Sequence, residues 1–172
     1  KYGGVYVFDE KLEKEIDKRE EERDKYLDDF FKNNNRDFDL NDQAIMNEKL
    51  PRVLSNGKKY YVTTRDYGND FKKKAEVPEI YLNKIIEFIG KDYDIYTPNV
   101  TLKYFYADNS GNIVPVKTIA TYIYEITTFG ISGDEASGIK FSSSNLAAAK
   151  GGNRFEFINN KFEKISNQSK DK

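Results

Sequence analysis

The 172-residue sequence contains no histidine and no cysteine. Histidine is the side chain whose unperturbed pKa suits proton transfer near neutrality, so its absence excludes Ser-His-Asp and Cys-His catalytic arrangements. The absence of cysteine excludes thiolate nucleophiles, zinc–thiolate clusters and disulfides. Only carboxylates, lysines, tyrosines and serines are left for chemistry. We therefore expect a protein that is not an enzyme and that needs no cofactor.

An excess of one charge is also lacking. The 28 Lys and Arg residues nearly balance the 29 Asp and Glu residues, which gives a formal net charge of −1. The longest run of consecutive basic residues is the short one at 72–74. Because phosphate backbones are bound by strongly basic surfaces, this balance argues against a nucleic-acid partner.

Long apolar runs are missing as well. No stretch approaches the roughly 20 apolar residues of a membrane-spanning helix, and the sequence has no signal peptide. The chain starts at Lys1 and not at methionine, so we expect that an N-terminal anchor or signal has been removed. The absence of cysteine fits either an extracytoplasmic, cell-envelope protein of a Gram-positive bacterium or chance in a short chain, and we favour the first.

Aromatic residues are abundant instead. Thirteen Tyr and twelve Phe residues make up 15% of a chain that is only 38% hydrophobic, and such large side chains can form a core where Leu and Val are scarce. The length suits one domain with a real core. Without an internal repeat or a low-complexity linker, we predict a single domain over residues 1–172, with a polar tail at 166–172.

Two segments have strong helical patterns. The first covers residues 9–31 and begins with Asp9 as a cap. Fifteen of its residues from 9 to 25 are charged, and its apolar stripe thickens only near the end, so we expect its first half to project into water and its second half to dock on the core. Whether the charged half is a stalk or only a solvated face stays open. The second covers residues 78–89 between Pro78 and Gly90, and apolar residues around most of its circumference predict a buried helix.

The segments between these helices give weaker signals. A short helix is predicted at about 42–50, capped by Asn41 or Asp42 and ending before Pro51. The pair Asn56-Gly57 predicts a hairpin turn between 53–54 and 60–62. Residues 65–76 are polar and are predicted to be irregular.

The C-terminal part, residues 99–165, is predicted to form a sheet. Period-2 alternation indicates a strand at about 100–107 and a long, central strand at about 113–128. Residues 130–138 are predicted to be a loop, 139–141 a short strand, and 153–165 a closing hairpin around an Asn159-Asn160 turn. The fold class is therefore α+β, with N-terminal helices packed on a curved, mainly antiparallel C-terminal sheet.

Two kinds of acidic constellation are candidate sites. Asp37, Asp39, Asn41 and Glu48 have the spacing of calcium ligands in an EF-hand loop, but Asp42 stands where that loop needs glycine, and a loop with a helix cap fits better than calcium. Paired carboxylates can hydrolyse glycosides without histidine. The adjacent acids at 92/94 and 134/135, however, have no partner carboxylate that the sequence places opposite them. We predict neither a metal site nor a catalytic residue.

The tyrosines are the better candidates for an interaction surface. If residues 100–107 pair with 119–126, then Tyr104, Tyr106, Tyr122 and Tyr124 lie on one face of two neighbouring strands. Core packing, a partner-binding surface and a ligand cavity all suit such a cluster. Tyr60 and Tyr61 flank the predicted turn, and we expect them to be at least half exposed.

Two segments carry a resemblance to a known family. Residues 25–31 (KYLDDFF) resemble the end of the first helix of NTF2-like domains, and residues 154–165 (RFEFINNKFEKI) are similar to the closing strand pair of those domains. Within that superfamily the chain looks most like the VirB8-like or TcpC-like subunits of Gram-positive conjugation systems. The resemblance implies an extracytoplasmic domain held by one membrane helix, which self-associates and acts as a scaffold in a type IV secretion channel.

We therefore expect a non-enzymatic assembly subunit of a conjugation channel, whose partners are other subunits of a membrane complex or further copies of the chain. One alternative is an exported immunity or inhibitor protein that binds a secreted toxin. A second alternative is a small-ligand-binding domain with a pocket between Tyr104 and Tyr122.

Overall fold

The protein contains four helices and seven strands in the part of the chain that the computed structural model describes, which is residues 1–95, 97–134 and 138–165; the side chains of 127–134 and 138–144 lie outside that description. In chain order the elements are β1 (Gly4–Val7), α1 (Glu10–Asn33), α2 (Leu40–Lys49), β2 (Tyr60–Tyr61), α3 (Thr64–Phe71), α4 (Glu79–Ile89), β3 (Asn99–Ala107), β4 (Ile113–Asp134), β5 (Gly138–Ala149), β6 (Asn153–Ile158) and β7 (Lys161–Ile165). The predicted polar tail, 166–172, lies outside the described residues.

The strands form one curled sheet that does not close on itself. Its order is β2-β3-β4-β1-β6-β7, and β5 pairs with β4 away from this path. All pairs are antiparallel except β1 with β6. The predicted α+β class, with helices packed on a curved and mainly antiparallel sheet, is confirmed, and β4 has the central position that was expected of it.

Strand β1 lies in a segment for which the sequence predicts no element. It joins the two halves of the sheet, because it pairs with β4 on one side and with β6 on the other. Gly4 allows this close approach: its φ is +149°, and a Cβ there would lie 2.1 Å from the carbonyl oxygen of Asn153. Strand β1 has only four residues and is followed closely by the charged helix α1, so the segment is too short to show a recognisable strand pattern.

Three apolar clusters form the core, and each contains a different helix or loop. One packs α4 against β1, β6 and β7 and includes Tyr6, Ile85, Ile89, Ala120, Phe155 and Phe162. The second packs α1 and the 50s segment on β4 through Ile16, Leu54, Tyr60 and Val116. The third packs α3 on the β2–β3 edge through Tyr61, Tyr67, Phe105 and Ala107. Aromatic rings are prominent in this core: the rings of Tyr6 and Phe155 stack with centroids 4.6 Å apart.

Helix α1 occupies nearly the predicted range, but its docked half is opposite to the one predicted. Asp9 caps it by accepting a hydrogen bond from the Leu12 backbone N–H at 2.9 Å. In its charged first half Ile16 is fully buried and Glu13 is 1% exposed, whereas Phe31 near its end is 55% exposed. The charged half docks because basic side chains of the sheet neutralise Glu13, which the charge count of the helix alone cannot reveal.

The shorter helices correct two boundaries and one element. Helix α2 begins two residues before the predicted start, because Asp39 is its cap. Residues 64–71 form α3 and not an irregular segment. Thr63 caps this helix, and the buried Tyr67 lies on the one apolar face of the helix. Helix α4 confirms the 78–89 prediction, with Pro78 and Gly90 at its ends. It is not buried all round, however, because Ile80 is 66% exposed.

The Asn56-Gly57 turn is present, but the strand that follows it pairs elsewhere. The Leu54 N–H donates to the Lys58 carbonyl at 2.8 Å, and Gly57 has a φ of 77°. Beyond a single bridge between Val53 and Lys59, residues 60–61 pair with β3. Residues 60–61 therefore form a strand of the main sheet and not the second strand of a local hairpin.

The second half of the sheet is longer than predicted. Strand β4 continues to residue 134 and β5 begins at 138, so the predicted loop at 130–138 and the short strand at 139–141 are wrong for the described residues. The glycines at 130, 133 and 138 suggest a loop. In the structure they lie within the paired strands β4 and β5, which have one register shift between Phe129 and Ser132. The closing hairpin is confirmed, and Asn159 and Asn160 have the positive φ values of its turn.

Candidate interaction surface

Tyr60 and Tyr61 belong to the core and not to the surface. Their exposed fractions are 0% and 3%, so the prediction that they are at least half exposed is wrong. The Tyr60 hydroxyl donates to Glu20 at 2.7 Å, and the Tyr61 hydroxyl donates to Asp70 at 2.8 Å. These acceptors remove the cost of burying a hydroxyl group, which is why two adjacent tyrosines can be buried beside a turn.

The other four tyrosines do not form one patch. Strand β3 pairs with residues 113–121, so that Tyr104 lies opposite Lys117, whereas Tyr122 and Tyr124 lie opposite Ala149 and Ala147 on β5. The expected pairing of 100–107 with 119–126 is therefore wrong in its register. The short turn at 108–112 sets this register, because it places Ala107 opposite Ile113, so that the ladder has reached only Thr121 where β3 begins at Asn99.

Each of these four tyrosines has its own surroundings. Tyr104 and Tyr106 are half-buried and pack on the cluster of Ile16, Leu54, Tyr60 and Val116. The Tyr122 hydroxyl is buried without a hydrogen-bond partner among the described residues, beside a cavity of about 260 Å³ that Lys1, Tyr2 and Asp92 also line. Burial raises the pKa of Tyr122. Of the six predicted surface tyrosines, Tyr124 is the exposed one, at 50%.

The acids at 37–48 form a helix cap, as the favoured interpretation predicted. Asp39 accepts from the N–H groups of Asn41 and Asp42 at 2.8 and 3.0 Å, and Asp42 accepts in return from the Asp39 N–H. Hydrogen bonds from the Arg36 guanidinium lower the pKa of Asp42 to about 2. Within the described residues, no group of three or more acidic, histidine or cysteine side chains could hold a metal ion.

The two pairs of adjacent acids, 92/94 and 134/135, are described only in part. Asp92 makes an ion pair with Lys1 at 2.8 Å. Asp134 is the last residue of β4, and residue 135 lies outside the described residues. These positions give no support to a pair of carboxylates that flanks a substrate.

A buried ionic cluster is the main polar feature that the sequence does not predict. Glu13 on α1 contacts Lys117 on β4 at 2.7 Å and Arg154 on β6 at 2.5 Å, and Arg154 also contacts Glu156 at 2.8 Å. Burial by itself raises the pKa of Glu13, but the hydrogen bonds from Arg154 and Lys117 give a net lowering. The cluster is electrically neutral and fully paired, so it fastens the helix to the sheet. Its signal in the sequence is the position of Glu13 on the same helix face as Ile16.

A polar cleft of about 400 Å³ lies between α2, α3 and the 51–61 segment. Its charged groups are engaged with one another: Arg52 binds Glu20 through two hydrogen bonds at 2.8 and 2.7 Å, and Lys59 binds Asp70 at 2.5 Å. These pairs neutralise the charges that a substrate would otherwise contact. The cleft therefore has the character of a structural junction.

The far ends of β4 and β5 form a two-stranded ribbon that leaves the sheet. We use "the ribbon" for residues 122–134 and 138–149, which pair from Tyr122 with Ala149 to Asp134 with Gly138. On the β1 side of β4, β5 continues where β1 stops, because the Lys150 carbonyl lies against Gly3. On the other side β3 begins at Asn99, opposite Thr121. In the described part of the chain, no strand pairs with that edge of β4 beyond residue 121.

Both faces of the ribbon expose apolar side chains. Alternate residues of one strand share a face of the sheet, and so do directly paired residues on neighbouring strands. Tyr124 and Ile126 therefore lie on one face, at 50% and 44% exposure. Ile123 and Leu146 lie on the other face, at 62% and 78%. Only three of the 25 ribbon residues are charged, namely Glu125, Asp134 and Lys140, although a third of the whole chain is. An exposed, apolar and charge-poor strand pair is typical of an association surface.

The chain was compared with protein-family models, with curated proteins and with solved structures, and no match was found in any of the three. Among the described residues, no helix has the length and the apolar character needed to cross a membrane.

Proposed function

We propose that this chain is a non-enzymatic association domain, an assembly subunit that binds its protein partner through the ribbon. The observation that carries the proposal is the exposure of Ile123, Tyr124, Ile126 and Leu146 together on two paired strands. Isolated exposed apolar residues are normal on a protein surface, but a contiguous group of them is stabilised when a partner covers it.

The chemistry of the remaining surface supports the same proposal. Neither histidine nor cysteine is present, and the acids and bases of the polar cleft and of the buried cluster are paired with each other. Groups held in such pairs stabilise the fold and are poor nucleophiles or proton donors. The ribbon combines exposed apolar side chains with a low charge, a composition that is suited to a protein partner.

The structure offers matched positions for a test. In the full chain, Ile123→Ser and Leu146→Ser remove apolar groups from the ribbon. Ile80→Ser and Leu40→Ser remove equally exposed groups elsewhere, at 66% and 83%. After cross-linking in the native cell, the ribbon variant is expected to lose the partner bands that the control variant keeps. Equal yields of cross-linked complexes in both variants would exclude the ribbon as the binding surface.

The narrower expectation, a scaffold subunit of a conjugation channel in the cell envelope, stays a prediction. Mass spectrometry of the cross-linked complexes tests it. Recovery of membrane ATPases and channel subunits with the wild-type chain, but not with the ribbon variant, would support the scaffold. Recovery of a single secreted toxin-like protein would instead favour the immunity or inhibitor alternative, which uses the same surface.

A further inference from the structure

The ribbon has too few strands to be stable by itself in water. Two isolated antiparallel strands are marginal, and three or more strands or a covering layer are needed for independent stability. The ribbon extends at least from residue 122 to 134 along β4, and in the described part of the chain β5 is its only pairing partner there. It therefore gains stability from any strand that adds to one of its two edges.

The edge of β4 is the better of the two for strand addition. Residues 122–126 read YIYEI, and aromatic and β-branched residues pair well across strands. The corresponding part of β5, residues 145–149, reads NLAAA. Natural edge strands are usually protected by lysine, proline or a bulge. Residues 122–128 of β4 contain none of these, and Glu125 is their one charge.

The charge pattern selects the occupant of this edge. A charged strand placed beside YIYEI would lose hydration without gaining an opposite charge, except at Glu125. The complementary surface is thus another charge-poor strand rich in β-branched and aromatic residues. Outside the ribbon the chain is highly charged, so the strand of this chain that best fits the description is β4 of a second copy.

We propose that two copies of this chain pair edge to edge along β4, antiparallel, with a two-fold axis at Tyr124. This inference rests on the proposed function and specifies its partner. The two ribbons then form one continuous four-stranded sheet, which meets the stability requirement that each ribbon fails to meet alone.

The register follows from the symmetry and from Glu125. A two-fold axis normal to the sheet keeps each side chain on its own face of the sheet. It therefore runs midway between one residue and the copy of that residue directly opposite. An axis at residue 125 would place two carboxylates directly opposite each other, which is destabilising. An axis at Tyr124 pairs Tyr124 with its copy, Tyr122 with Ile126, and Ile123 with Glu125. It joins the exposed Tyr124 and Ile126 to aromatic partners on one face.

The absence of cysteine makes a direct test clean. In the purified full chain, Tyr124→Cys places two cysteines opposite each other at a Cα separation of about 4.5–5.5 Å, within the range that a disulfide spans. Glu125→Cys is the matched control, because its two copies lie two residues out of register, roughly 8 Å apart. We expect mild oxidation to produce a disulfide-linked dimer with Tyr124→Cys and at most a tenth of that yield with Glu125→Cys. Equal yields, or none, would overturn the register.

Charged substitutions at Tyr124 test, without a covalent bond, whether a second copy of the chain binds this edge. Tyr124→Lys and Tyr124→Glu each place like charges on the two-fold axis. In sedimentation velocity we expect each variant alone to dimerise at least about tenfold more weakly than the wild type, which is 1.4 kcal/mol, and an equimolar mixture to recover dimers. Ile80→Lys is the control at a distant, equally exposed site.

The outcomes separate this inference from the proposed function. A wild-type chain that sediments as a monomer at all concentrations, and a mixture that does not recover dimers, would overturn pairing between copies. If the ribbon serine variant still loses its cross-linked partner in cells, the ribbon binds a different protein, and the broader proposal survives. If that variant keeps its partners as well, both proposals fail.

Discussion

The Glu13 carboxylate accepts two hydrogen bonds from the Arg154 guanidinium, at 3.0 and 2.5 Å, although the two residues are 141 positions apart in the sequence. The pair fastens α1 to β6, and Lys117 of β4 contacts the same carboxylate. One buried acid therefore ties the N-terminal helix to both halves of the sheet.

Replacement of this acid is expected to destabilise the fold. Glu13→Gln keeps the size of the side chain but removes the carboxylate that Lys117 and Arg154 share, and leaves Arg154 with Glu156 alone. Removal of one partner from a buried ion pair typically costs about 3–5 kcal/mol. We expect a loss near the lower end, about 3 kcal/mol, because Arg154 is 29% exposed. Urea unfolding measures the loss.

Glu10→Gln is the control for that change. Glu10 makes an exposed i, i+4 pair with Lys14 on the same helix, and such pairs contribute less than about 0.5 kcal/mol. A Glu13→Gln chain as stable as Glu10→Gln would mean that the buried cluster contributes nothing to the attachment of α1.

The stability of the protein is expected to fall in acid. For Glu13 and Glu20 burial raises the pKa, but hydrogen bonds from basic partners, together with that from Tyr60 on Glu20, lower the net pKa below 4.5. The unfolded chain then binds more protons than the folded one. The stabilisation is complete above about pH 4.5 and is lost as the pH falls through the lower, folded-state pKa values.

Urea midpoints measured from pH 3 to pH 8 test this expectation. Between pH 6 and 8 we expect a plateau, since the chain has no histidine to titrate there. Below pH 5 the midpoint should decrease, and the decrease should be shallower in Glu13→Gln, which has one carboxylate fewer to protonate. Identical slopes below pH 5 in both chains would contradict a lowered pKa at Glu13.

The two classes of tyrosine are expected to respond differently to loss of the hydroxyl. Tyr60→Phe removes a hydrogen bond of 2.7 Å to the Glu20 carboxylate, and a bond to a charged group contributes about 1.5–3 kcal/mol. Tyr124→Phe changes a half-exposed side chain and should shift the free energy of unfolding by less than about 0.5 kcal/mol. Thermal and urea unfolding of the monomeric protein, at low concentration, compare the two. Similar losses would contradict the assignment of Tyr60 to the core and of Tyr124 to the surface.

The elements that the sequence predicts well are those with complete local signals. The 78–89 helix has an apolar pattern, a proline at its start and a glycine at its end, and the 153–165 hairpin has two adjacent asparagines that adopt positive φ. Helix α3 has only one buried apolar face, on Tyr67 and its neighbours, and its polar composition hides it. Local patterns therefore indicate that an element exists when caps and periodicity agree.

The ribbon could be recognised only in part. The alternation at 119–126 predicts a strand, but the place where β1 and β3 stop pairing with it depends on contacts between distant segments. Glycines at 130, 133 and 138 indicate a loop when they are considered locally, but Gly133 and Gly138 are paired in the ladder and Gly130 lies within its register shift. The low charge of residues 122–149 is a second signal in the sequence, and it becomes meaningful once the strands are known to be exposed.

Two neighbouring glycines at the junction of β5 and β6 are expected to differ sharply in their tolerance of a side chain. Gly151 has a φ of 69°, and a Cβ there would lie 2.3 Å from the carbonyl oxygen of Gly3, which is backbone that cannot rotate away. A left-handed conformation alone costs a non-glycine residue about 1–3 kcal/mol, and the clash adds to this cost. Gly151→Ala is therefore expected to lower the free energy of unfolding by about 3 kcal/mol.

Gly152→Ala is the matched control, because no atom of the described residues, its two chain neighbours aside, lies within 4 Å of a Cβ built there; we expect a change below about 0.5 kcal/mol. Hydrogen exchange locates the effect: Gly151→Ala should increase exchange first at residues 4–7, whose strand leaves β4 where the ribbon begins. Equal destabilisation by both substitutions would show that the glycine pair serves chain flexibility. A loss confined to Gly151 means that the close approach of two backbones sets the point at which the ribbon departs from the sheet.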